Sequence, residues 1–214
     1  TVTEDEDYET SIVQTAMAFI ADQEDAESIP LLMELSSHRD SGLAASAVRS
    51  IAKMPPADID ASLLLDRLKK EDPVSEEDLI AALIVTLGEL GYIPAADELV
   101  MIAEDAGASA GHRRLACVSI GQIGRESDYQ IVENIYYESD DAMLRSYALA
   151  GLAEFPGHET DDILIQALKR DSFWRIRVTA AEKLSGAEDD EIGDLLMYKA
   201  ANDPVNHVRI CLLY

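Results

Sequence analysis

"DSFWRIRVTAAEKLSG", residues 171 to 186, places Phe173, Trp174, Arg175 and Arg177 ahead of an alanine-rich apolar stripe. The rest of the chain explains one of these residues. Arg113, Arg145, Arg177 and Arg209 recur at an interval of 32 residues, so Arg177 is a repeat position. Aligned on the arginines, "HRRLACVSIGQIG" (112–124), "LRSYALAGLAEFP" (144–156), "IRVTAAEKLSGAE" (176–188) and "VRICLLY" (208–214) share their chemistry column by column. One residue before the arginine stand His112, Leu144, Ile176 and Val208; three after it, Ala116, Ala148, Ala180 and Leu212; seven after it, Ile120, Leu152 and Leu184. Spacings of three, four and seven describe one face of an amphipathic helix, with small residues where neighbouring helices approach closely.

A second set of columns precedes each of these helices. Leu99, Ile131, Ile163 and Leu195 align at the same interval, as do Val100, Val132, Leu164 and Leu196, so each repeat is a helical pair. Asp140, Asp171 and Asp203 fall between the two helices, where they are expected to cap the second one, with Pro204 in its first turn. Upstream the spacing loosens, but second helices still align at Ala44, Ala47 and Ile51 and at Ile80, Leu83 and Leu87. Residues 8 to 22 read as the helix of an earlier repeat, and residues 1 to 7 as an acidic tail. No strand alternation competes with this pattern, and glycines in "GELGY" and "GQIGR" stand where helices stop. The fold expected is all-α: a right-handed α-solenoid of antiparallel helix pairs with a period of about 32 residues, one body over 8–214.

The pattern D-x(5)-R-x-x-A-x(3)-L, met at Asp171, Arg177, Ala180 and Leu184, resembles the short HEAT-like repeats of phycobilisome-lyase-type proteins. The resemblance is clear over residues 94–214 and weaker over 8–93, where Ala44 and Ile80 hold the arginine position. It implies that the aspartate and arginine columns link adjacent repeats, which assigns Arg113, Arg145, Arg177, Arg209, Asp171 and Asp203 to the scaffold. It also implies that second helices line a concave groove. The stripe beside their buried face then offers Met143, Tyr147, Arg175, Thr179 and His207 to a partner, while Trp174 is expected at the seam between repeats.

Forty-two acidic against 17 basic residues give a net charge of −25, which opposes a sequence-independent grip on nucleic acid or an anionic membrane. A protein or peptide partner, a basic one in particular, is favoured. Cys117 and Cys211 lack metal-ligand spacing and are expected as core-packed thiols. No stretch of about 18 apolar residues predicts membrane insertion. "EDDE" at 188–191 reads as a capped helix start rather than a calcium loop, and His158-Glu159 is a single pair where a two-iron site needs several. With no P-loop, GxSxG or HExxH motif, the function expected is a non-enzymatic interaction scaffold without a cofactor or metal. The alternative implied by the resemblance is a bilin (tetrapyrrole) lyase or chaperone-like subunit. Finally, "VRICLLY" stops partway through a second-helix pattern, so the array is expected to continue in a longer protein or to associate with itself through that end.

Overall fold

Helix boundaries are encoded by short-range chemistry. Asp40, Asp60, Asp141 and Asp189 each precede a helix and accept from its free N–H groups: from Leu43 at 2.9 Å, Ser62 at 3.2 Å, Met143 at 2.8 Å and Glu191 at 2.7 Å. Each such cap contributes about 1 kcal/mol. Gly91 and Gly124 take φ of 59° and 67°, a left-handed conformation that a side chain resists, and so turn the chain out of the helices that end just before them.

The computed structural model describes residues 4–23, 25–56, 59–157, 160–187 and 189–213, with side chains from residue 10 onward. The chain divides into two units, Thr1–Ser119 and Ile120–Tyr214. The first contains α1 (Glu4–Asp22), α2 (Ile29–Leu35), α3 (Ser41–Ile51), α4 (Ala61–Leu68), α5 (Glu77–Glu89), α6 (Ala96–Glu104) and most of α7 (Ala110–Ile123). The second holds the last turn of α7, then α8 (Tyr129–Glu138), α9 (Ala142–Leu152), α10 (Asp161–Arg170), α11 (Trp174–Leu184), α12 (Asp190–Asn202) and α13 (Asn206–Cys211). No strand occurs among the described residues.

Packing follows the pairing read from the columns. α2 lies on α3, α4 on α5, α8 on α9, α10 on α11 and α12 on α13. Within each unit the second helix of one pair also packs on that of the next: α1, α3 and α5 in the first unit, α9, α11 and α13 in the second. Small residues permit this. Ala44, Ala45 and Ala47 of α3 are fully buried, and Thr86 of α5 donates a hydrogen bond to the Val48 carbonyl at 3.1 Å across the α3–α5 contact. In the second unit a Cβ on Gly121 would stand 2.0 Å from the Gly151 carbonyl oxygen, so the last turn of α7 meets α9 backbone to backbone. Leu144, Leu149 and Leu152 of α9 and Ile176 and Leu184 of α11 fill the core between, each burial worth about 1.5–3 kcal/mol. This architecture is an all-α solenoid of HEAT type.

Two local expectations are corrected. The sequence columns pair Leu99 with Ile131, but Leu99 and Val132 are the fully buried counterparts, whereas Ile131 is half-buried. The slip of one residue arises because the connection from α6 to α7, residues 105–109, is longer than the three-residue connections of the later pairs. The second-helix caps also differ. The N-cap of α9 is Asp141, not Asp140, and those of α11 and α13 are Phe173 and Val205, with Pro204 ahead of the helix. Asp171 and Asp203 instead close α10 and α12. Their carboxylates accept from the Phe173 and Val205 amides at 2.7 and 3.0 Å, and Ser139, in the same column, accepts from Asp141 at 3.1 Å.

Candidate functional site

The arginine column lies against connections between helices. Arg177, with a side chain only 7% exposed, forms a two-pronged pair with the fully buried Asp203: Nε and Nη2 each donate at 2.9 Å. Its Nη1 donates to the Asp171 carbonyl at 2.8 Å, so one guanidinium ties the α10–α11 connection to the α12–α13 connection. Arg145 reaches Asp171 at 3.6 Å in the same sense, one repeat earlier. Arg113 donates through Nε to the Ala103 carbonyl at 3.0 Å, and Arg209 donates to the Asp203 carbonyl and to Asn206 Oδ1. Burial alone would push the Asp203 carboxyl up. Hydrogen bonds from Arg177 and the Val205 amide, with the charges of Arg177 and Lys199, outweigh that and hold it below the ordinary aspartate value.

Beside this buried column, two of the stripe residues, Arg175 and His207, fall into one cluster with Trp174. The Trp174 ring stacks on the His207 ring, with centroids 5.1 Å apart and planes at 29°, and the Arg175 guanidinium lies 5.2 Å from the centre of the Trp174 ring. Arg175 and His207 are exposed and Trp174 is half-buried, so the indole is both a seam residue between α11 and α13 and the centre of a surface cluster. Thr179 is half-buried, its hydroxyl 2.9 Å from that of Ser146 on α9. Met143 and Tyr147, also half-buried, hold on α9 the register that Arg175 and Thr179 hold on α11. The structure thus brings Arg175 and His207 together around Trp174 and ties Thr179 to α9.

The remaining sequence candidates are quickly placed. Cys117 is fully buried, and burial pushes its thiol up to about 12; Cys211, expected in the core, is half-buried with Sγ 3.5 Å from Glu182. Asp189 caps α12, as the reading of "EDDE" required. His158-Glu159 lies outside the described residues. Among the described residues no group of three or more His, Cys, Asp or Glu side chains is placed to hold a metal, and no helix is long and apolar enough to cross a membrane.

Sequence reasoning missed a cleft of about 910 Å³ in the first unit, between the end of α4, residues 69–76, α6 and the start of α7. Its one available signal was the period. The second-helix columns step by 36 residues from Ala47 to Leu83 and by 33 from Leu83 to Ala116, and the extra residues sit in the connections that border this cleft.

Stacked helical pairs whose second helices pack in a row within each unit, with Arg145 and Arg177 reaching from one helix connection to the next, define a HEAT-repeat protein. The model of the Spirochaete HEAT repeat protein family matches residues 1–211, and the chain belongs to that family. Comparison with curated proteins finds no match.

Proposed function

We propose that the chain is a non-catalytic scaffold that holds a segment of another protein against the row formed by α9, α11 and α13. HEAT repeats typically mediate protein interactions, which supports the coarse reading. The observation that carries the finer one is the Arg175–Trp174–His207 stack. Arginine and tryptophan dominate binding energy where they occur in interfaces, and the ordering cost of an exposed arginine is lowered when an aromatic face already holds it. Met143 and Tyr147 extend the same surface with side chains that tolerate irregular contacts at little entropic cost. The periodic arginines are the frame that keeps successive second helices in register and do not touch the partner in this reading.

Affinity capture from the source cells with the wild-type chain and with Tyr147→Ala/Arg175→Glu tests it. Proteins held by the wild type and lost by the double variant, at equal helical content, support the reading. Equal retention by both places the interface away from α9 and α11. No feature of the described residues favours the tetrapyrrole alternative.

A further inference from the structure

We infer that the cleft in the first unit is a second, independent docking site, and that its occupant is a cationic amphipathic protein segment: apolar side chains along one face, lysines or arginines beside them. Its walls are built largely of hydrocarbon from Leu68, Val74, Ile80, Met101 and Ile102. Two of these stand in water, Val74 at 86% and Met101 at 65% exposure, although the neighbouring α5 buries nearly all its large apolar side chains. A volume of about 910 Å³ admits several side chains at once, at the upper end of the ~300–1,000 Å³ usual for binding clefts.

The charge around these apolar walls selects the occupant. Glu71, Glu77, Glu98, Glu104 and Asp105 border the cleft, against one cationic side chain, Lys69. Among the described residues, Glu71 alone of the five acids is in an ion pair, with Arg67 Nε at 2.7 Å. An anionic ligand would meet repulsion, a neutral one would gain nothing from these carboxylates, and lysines or arginines could pair with Glu77, Glu98, Glu104 and Asp105. The polar group nearest the interior is already engaged: His112 donates from Nε2 to the Glu77 carbonyl at 2.9 Å. Recognition therefore divides into apolar contact within the cleft and charge pairing at the rim, the division an amphipathic cationic segment makes.

The test uses a fluorescent peptide of leucine and lysine at helical spacing, titrated into the full chain by anisotropy, with an oligolysine of the same charge as control. The discriminating variants are Val74→Asp and Met101→Asp. Both positions are exposed, so folding tolerates them, and both make the surface more acidic. Simple attraction to a chain of charge −25 would then tighten, whereas docking in the cleft loses affinity by about tenfold or more. Glu98→Gln/Glu104→Gln should weaken binding and flatten its salt dependence. Unchanged or tighter binding by the two aspartate variants, or equal binding of oligolysine to the wild type, overturns the inference. Neither result bears on α9–α13, whose variants leave this cleft intact.

Discussion

At the scale of single residues, the strongest consequence belongs to the arginine column. Arg177 and Asp203 are both buried and doubly bonded, so removing one partner strands the other charge away from water. Arg177→Ala is expected to lose about 3–5 kcal/mol in denaturant unfolding. Arg145, 28% exposed and 3.6 Å from Asp171, should cost about 1 kcal/mol or less. Asp203 adds a pH signature. A carboxyl whose folded-state pKa lies below its unfolded value contributes stability in full above the unfolded value and loses it as pH falls through the folded one. Wild-type stability should therefore fall across the acid range below the ordinary aspartate value, and Asp203→Asn should flatten that slope while lowering stability at neutral pH. Arg177 was legible because four arginines share one interval. The turn-closing role of Asp171 and Asp203 was not, since an aspartate between two helices can close the first or cap the second, and only backbone torsions decide.

At the scale of helices, the close crossing at Gly121 is the most sensitive point. A Cβ 2.0 Å from a backbone oxygen cannot be relieved by rotating a side chain, so Gly121→Ala must push helices apart. Its expected cost is about 3 kcal/mol or more in thermal or denaturant unfolding, against about 1 kcal/mol for Gly91→Ala, where φ is 59° but space is open. Equal, small losses for both would mean that α7 and α9 do not approach as described. Helix identity, and the pairing of α2 with α3, α4 with α5, α8 with α9, α10 with α11 and α12 with α13, were readable because apolar spacing is set by the helix itself. Register across a connection was not: the Leu99 to Val132 slip depends on how residues 105–109 are stored, which apolar periodicity does not record. The first-unit cleft was hidden for the same reason, since longer connections announce an insertion without saying whether it covers or opens a surface.

At the scale of the molecule, a net charge of −25 should favour the approach of basic partners, an attraction that salt should weaken. The candidate stripe was partly legible, because helical spacing placed Met143, Tyr147, Arg175, Thr179 and His207 beside the buried face. Trp174 as the centre of the cluster was not, since its contact with His207 joins different repeats. The central claim is that a partner segment lies on the second helices of the second unit. Its most direct test is a photo-crosslinking residue placed in the full-length protein at Tyr147 or Arg175 and, as control, at the exposed Asp162 of α10, irradiated in the source cells. A shared, discrete protein adduct from positions 147 and 175, absent from position 162, is the result expected. Adducts from position 162 alone, or none from either second-helix position while the protein still captures its partner, would contradict it.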